Sequence, residues 1–231
     1  MYALKVMIKI NFLCRKSSKI FGRTVVANKA IEENTNLCIE QAFSHATILV
    51  NSLEASDVQQ VCSNCCRTNN ISISCSTCYR VGYCNENCRE EDTHLHQYEC
   101  EGYRKGLWYD LGISHLSIRT VLSGIDSLIT TLWKEGMVLP LQWNEILKHA
   151  NIDNTNFVYG QVLALVTNLD KMNEDDLYCY SLTAIILVMY LKYCTSFFKQ
   201  TCFEFVDNME HFEVIIGSLL LRHMGQVVCF M

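Results

Sequence analysis

Residues 62–100 read CSNCCRTNNISISCSTCYRVGYCNENCREEDTHLHQYEC. Within them Cys62, Cys65, Cys75, Cys78, Cys84, Cys88, His96 and Cys100 follow the spacing C-x2-C-x9-C-x2-C-x5-C-x3-C-x7-H-x3-C. Eight soft donors are what two tetrahedral zinc ions require, four each, with no coordination position left open for chemistry. The stretch carries few large apolar side chains (Ile71, Ile73, Tyr79, Val81, Tyr83, Leu95, Tyr98). Such a piece cannot bury enough surface to offset the entropy of ordering its backbone. A structural zinc contributes on the order of 10–16 kcal/mol in small finger peptides, so metal can hold what packing cannot. The stretch is read as a module built on two structural Zn2+.

Local spacing adds shape. Cys75-Ser-Thr-Cys78 is a knuckle between Ile71/Ile73 and Tyr79/Val81/Tyr83, which predicts a short hairpin. Cys84 and Cys88 are four apart, as are His96 and Cys100, so on helices each pair shares one face and can grip one ion. Asn85 is the expected start of the first helix and Thr93 of a second. His96 is preferred to His94 because it stands one turn before Cys100, and Cys65 to Cys66 because the two-residue gap from Cys62 ends there.

Composition sets the frame. The chain has 231 residues, 50% hydrophobic and 19% charged, with 14 cysteines and a formal net charge of −5. That is a folded chain with room for one core and a small module. From Val61 to Arg104 there are four basic and six acidic residues, the wrong sign for a phosphate-binding face, so no direct nucleic-acid contact is expected. Lys5 and Lys9 interrupt the N-terminal apolar run, leaving no clean signal-peptide core. The cysteines are therefore read as reduced and metal-binding in a cytoplasmic or nuclear setting, not as disulfides. Leu182–Leu191 is too short to cross a bilayer, and the window Cys179–Phe198 contains Lys192. A buried core helix is expected there, with no membrane partner.

Before the cysteines, residues 2–14 alternate as a strand that Ser17 and Ser18 end. A glycine turn at Phe21-Gly-Arg opens a β-branched strand to Ala27, and Asn36–Phe43 is read as another strand. After Tyr103 the pattern favours helices over Leu111–Ile129, Trp143–Ala150, Phe157–Met172, Tyr178–Phe198 and Asp207–Phe230. Gly136 and Pro140 mark a loop, and Asp207 or Asn208 the cap of the last helix. His115, His149, His211 and His223, and Cys179, Cys194, Cys202 and Cys229, are read as structural and not as ligands or nucleophiles. No phosphate loop, dinucleotide fingerprint, nucleophile elbow or H-E-x-x-H pattern is present.

The ligand order, with its histidine seventh of eight, resembles the MYND-type finger. That resemblance implies crosswise binding, with Cys62, Cys65, Cys84 and Cys88 on one ion and Cys75, Cys78, His96 and Cys100 on the other. The flanks, Phe21-Gly-Arg-Thr-Val-Val-Ala27 and Glu40-Gln-Ala-Phe43, are similar to the opening strands of the SET domain in SET-and-MYND protein-lysine methyltransferases. Leu111–Arg119 and Gly217–Met224 look like that family's helical insert. The implied fold is α+β: split SET-type strands in residues 1–55, a two-zinc finger in 56–104 and a mostly helical region in 105–231. In the family the K-G-R turn helps bind S-adenosylmethionine; the matching positions are Phe21, Gly22 and Arg23, where the lysine is replaced by Phe21 and a following glycine by Thr24. The family's N-H-S-C-x-P-N motif is not found, so no catalytic residue is named, and the chain is expected to stop before the catalytic SET core. Two functions follow as expectations. One is membership of a lysine methyltransferase whose full-length form would act on protein lysines. The other is a non-catalytic finger that binds short peptide motifs of protein partners. The metal argument also predicts that Cys84→Ser unfolds the finger but leaves much of the helical signal from Tyr103 onward.

Overall fold

A computed structural model describes residues 2–5, 13–18, 22–37, 41–47, 61–68, 70–134, 158–199 and 209–228. The strands are β1 (Tyr2–Lys5), β2 (Leu13–Ser18), β3 (Gly22–Ala27), β4 (Ala42–Ala46), β5 (Ile73–Ser74) and β6 (Gly82–Tyr83). The helices are α1 (Glu86–Lys105), α2 (Leu107–Leu111), α3 (Ser114–Lys134), α4 (Val158–Leu163), α5 (Glu174–Cys194) and α6 (Met209–Val228). The fold is mixed and mostly helical.

The strands pair in three antiparallel ladders, β1 with β4, β2 with β3, and β5 with β6. Two separate two-stranded ladders at the N-terminus do not by themselves define a SET-type sheet. Strand limits differ from expectation. Ser17 and Ser18 do not end β2 but pair with Arg23 and Gly22 inside it. Of the strand expected over Asn36–Phe43, residues 38–40 lie outside the described residues, Asn36 and Leu37 are not in a strand, and β4 runs from Ala42 to Ala46. Leu37 is largely exposed, whereas Ser44 and Ala46 are buried, so burial beside α3 selects the later window. There Ser44 Oγ and Thr120 Oγ1 lie 2.7 Å apart, and the Phe43 ring stacks on Tyr159 at 5.6 Å.

A single helix replaces the two expected after Cys84. Asn85 does cap α1, its Oδ1 accepting from the Cys88 N–H at 2.9 Å. Thr93, however, lies mid-helix and its hydroxyl donates to the Arg89 carbonyl, so it offers no second start. Gly106, at φ 76°, ends α1 in the left-handed region that glycine enters without strain. The turn carries Trp108 back onto α1, where its indole donates to the Glu99 carbonyl at 2.9 Å and stacks on His115. A Cβ on Gly102 would meet that indole at 2.5 Å, so only glycine leaves room.

Beyond α1, α3 packs on α6 and β4, α5 on α6, and α1 on both α3 and α5. The helix expected over Phe157–Met172 stops at Leu163. Side chains from α6 reach its last carbonyls: Gln226 Nε2 donates to Val162, which also accepts from the Leu165 N–H, and Arg222 Nη2 donates to Leu163. The Tyr178–Phe198 segment is shifted to Glu174–Cys194, capped by Asn173. It is not a buried core helix: Ala184, Leu187, Tyr190 and Leu191 are its buried residues. By length and composition α5 is the one helix among the described residues able to cross a membrane, with a mean hydropathy of 1.5. The expected Trp143–Ala150 helix, the Gly136–Pro140 loop, the Asp207/Asn208 cap, His149, Cys202 and Cys229 lie outside the described residues.

One buried cluster runs from Cys62, Val81 and Tyr83 through Tyr103, Trp108 and Ile118 to Leu187, Phe212 and Leu219. The cysteine-rich stretch therefore shares its interior with the helices.

Candidate metal centre

Two knuckles of the same construction present the first four sulfurs. In one, the Cys66 N–H donates to the Cys62 carbonyl at 2.9 Å and Cys66 takes φ 59°; in the other, the Tyr79 N–H donates to the Cys75 carbonyl at 3.0 Å and Tyr79 takes φ 56°. Cys66 thus holds the left-handed position that Tyr79 holds in the second knuckle, outside both donor clusters. The Ser63 N–H donates to the Gly82 carbonyl and the Cys75 N–H to that of Val81, fastening both knuckles to the β5–β6 hairpin. The remaining donors come from the end of that hairpin and from α1.

The side chains converge crosswise. The sulfurs of Cys62, Cys65, Cys84 and Cys88 form one group; those of Cys75, Cys78 and Cys100 with a ring nitrogen of His96 form the other, the atoms of each within 4.8 Å of one another. Cys65 and Cys84 sulfurs are 3.6 Å apart, those of Cys84 and Cys88 3.4 Å, and those of Cys75 and Cys100 3.8 Å. Cys78 Sγ lies 3.7 Å from His96 Nε2. A tetrahedral zinc with Zn–S bonds of about 2.3 Å has an S···S edge of about 3.8 Å. Donor type, number and spacing fit zinc, and both clusters could hold one ion. His94 is exposed, its Nδ1 paired with the Glu91 carbonyl at 2.7 Å. Every described cysteine is a free thiol.

Electrostatics point the same way. Burial raises the Cys75 thiol, but the Cys78 and Thr77 backbone N–H groups and His96 outweigh it and bring it to about 6. Burial likewise raises Cys62, and the Cys65, Cys84 and Asn64 backbone donors bring it to about 7. Cys88 and Cys100 are pushed up to about 12, first by burial and then by neighbouring sulfurs. Burial opposes a charge on His96, yet Cys78 and Cys75 raise it to about 9. Sulfurs this close cannot all ionise unaided, and a divalent cation removes the conflict.

Behind the second cluster lies a buried charge network that spacing alone did not reveal. Asp92 and Glu99 lie on the inner face of α1, and Arg119 and His115 reach them from α3. Arg119 pairs with Asp92 and approaches Glu99 at 3.5 Å, and its Nη1 lies 3.4 Å from Ser63 Oγ in the first knuckle. The Tyr83 hydroxyl donates to Asp92 at 2.9 Å, and His115 Nε2 lies 2.7 Å from Glu99. Burial raises Glu99, but Arg119 and then His115 override it and hold the carboxyl at about 2. The available signal was the i, i+7 spacing of Asp92 and Glu99, with His96 on the same face, and a lone arginine inside the apolar run Leu116–Leu122.

Of the positions likened to a cofactor turn, Phe21 lies outside the described residues, and Gly22 and Arg23 are described only as backbone opening β3.

Two curated proteins are similar to this chain. A SET and MYND domain-containing protein of Dictyostelium discoideum is 31% identical over 100 residues, covering 41% of this chain and 24% of the relative. A second SET and MYND domain-containing protein of that organism is 28% identical over 185 residues, covering 68% of this chain and 33% of the relative. The chain spans about a quarter to a third of the length of these relatives. No family model and no solved structure matches it. The likeness supports a SET-and-MYND relationship, and the donor geometry is consistent with a MYND-type finger.

Proposed function

We propose that this chain is a zinc-binding protein of the SET-and-MYND type whose finger binds peptide segments of other proteins. The carrying observation is the pair of four-donor clusters. Each cluster supplies four protein ligands, so zinc held there has no open position for water or substrate and acts as scaffold. When bound, the ions neutralise clustered thiolates and lock both knuckles to α1. The chain's own residues then form the docking surface: Tyr79, 68% exposed at the tip of the second knuckle, stands beside the β5–β6 hairpin. A rigid aromatic held by a left-handed backbone is a suitable anchor for an extended peptide.

Zinc analysis of the purified chain is expected to give two ions per chain, falling to about one in Cys84→Ser. A peptide array is expected to return ligands whose binding is lost in Tyr79→Ala while zinc content is kept. Zinc-free protein with native helical signal would overturn the reading.

A second reading is favoured by the longer similarity, which extends well beyond the finger. In it the chain belongs to a protein that transfers a methyl group from S-adenosylmethionine to protein lysine, with Phe21, Gly22 and Arg23 at the cofactor turn. Titration with labelled S-adenosylmethionine tests it, and saturable binding weakened by Gly22→Val is the expected result. Absence of saturable binding leaves the peptide-binding reading alone.

A further inference from the structure

The exposed large apolar side chains of α5 do not scatter. Tyr178, Leu182, Ile185, Ile186, Met189 and Tyr193 are between 41% and 71% exposed. At about 100° per residue they fall within one arc of about 100°. Their order is also palindromic. Tyr178 and Tyr193, Leu182 and Met189, and Ile185 and Ile186 lie equally far on either side of the Ile185–Ile186 midpoint. Every large residue on one half therefore has an apolar counterpart at the mirrored position on the other.

In an isologous twofold contact residue i of one copy meets residue j of the other and j meets i, so with this pattern every large side chain of the stripe meets an apolar one. We propose that the outward face of α5 is a homodimer interface, on which a second copy of this chain packs its own α5 antiparallel across the Ile185–Ile186 midpoint. In this register Ile185 meets the partner's Ile186, Leu182 the partner's Met189, and Tyr178 the partner's Tyr193. Charge favours the same direction. The first turn of α5 holds Glu174, Asp175 and Asp176, and its basic residue, Lys192, lies in the last turn. Lys192 is already bridged to Glu213 of α6 at 2.8 Å, so the directional preference rests on the acidic turns: antiparallel packing keeps the two sets apart and opposes the helix dipoles, whereas parallel packing would stack them.

Area is sufficient. With about 150–250 Å² for an aromatic side chain and the lower part of that range for the aliphatic ones, full coverage of the exposed fractions gives on the order of 600 Å² per copy as an upper limit. Two copies bury at most on the order of 1,200 Å², at the lower end of specific interfaces, and the dimer proposed is a weak one of about micromolar Kd. A lipid-facing role fits less well. The opposite face of α5 is occupied by protein through Ala184, Leu187, Tyr190 and Leu191. The Tyr190 hydroxyl there donates to the Tyr98 carbonyl and accepts from the Gly102 N–H, tying the helix to α1.

The test is sedimentation equilibrium of the zinc-loaded chain, with and without phosphatidylcholine vesicles. A dimer is expected, weakened at least about tenfold by Ile185→Glu and by Met189→Lys, as for the loss of a central contact. Circular dichroism and zinc content should be unchanged in both variants, since both side chains are already half exposed. Val158→Glu, a comparably exposed site on α4, which packs on α3 and β4, should leave the dimer intact. A chain that stays monomeric at about 100 µM, as it would if its own remaining residues covered the stripe, overturns the proposal, the concentration lying well above a micromolar Kd. So do a dimer indifferent to both substitutions, open-ended oligomers in place of a closed pair, and a lipid-free monomer that sediments with vesicles.

Discussion

Arg119→Met tests the link between the cysteine-rich stretch and the helices. The guanidinium is 1% exposed, and it is the cation paired with Asp92 and approaching Glu99, which are equally buried. Its field overcomes the burial that would raise Glu99, leaving that carboxyl near 2 in place of 4.5. Methionine fills much of the same volume but supplies no charge, so two buried carboxylates lose their main partner. Breaking a buried pair from one side costs about 3–5 kcal/mol. With a urea slope of about 2 kcal/mol per molar, the unfolding midpoint should fall by about 2 M. The assay is urea denaturation of zinc-loaded protein followed by circular dichroism. Adding Asp92→Asn to Arg119→Met should recover part of the loss, because it removes one of the stranded charges. A loss below about 1 kcal/mol, or no recovery in the double variant, would show that the network does not join the two parts.

Chelation of zinc should reduce helical signal in step with metal release, because α1 carries three of the eight donors (Cys88, His96 and Cys100) and shares a core with α3 and α5; zinc loss with unchanged far-ultraviolet signal would refute this. Gly102→Ala should cost about 1–3 kcal/mol in thermal or urea melts, since the new methyl meets a buried indole at 2.5 Å. His223 is fully buried between Tyr159 and Gln226, and burial holds it at about 4, below its ordinary 6.5. Its contribution is complete above pH 6.5 and lost as pH falls through 4, so between pH 7 and pH 5 wild type should lose about 2 kcal/mol more than His223→Gln. Parallel pH profiles for the two proteins would sink that assignment.

Much of the grouping of candidate metal donors was legible in the sequence, because ligand spacing is a local property. The two-residue gaps, the helical four-residue gaps and the Asn85 cap all act within a few residues of chain, and the donors they pick out lie together. The left-handed position after each second cysteine is also local, and it explains why Cys66 stands aside. Other features were decided at a distance. Whether Thr93 opened a second helix depended on Asn85 already capping a helix long enough to pass it. The end of α4 at Leu163 depends on Gln226 and Arg222, about 60 residues away in the chain. The outward stripe of α5 escaped notice because a run of apolar residues looks alike whether it faces a core or solvent.

Residue spacing by itself determined where sulfur and imidazole could meet a cation, since those geometries close within single turns and knuckles. Tertiary packing alone decided that Asp92, Glu99 and Arg119 share one dry site and that the knuckles and the helices have one interior. Burial of a charge is tolerated only where an opposite charge from another element arrives; spacing can set Asp92 and Glu99 on one helix face and Arg119 on another, but only packing brings those faces together.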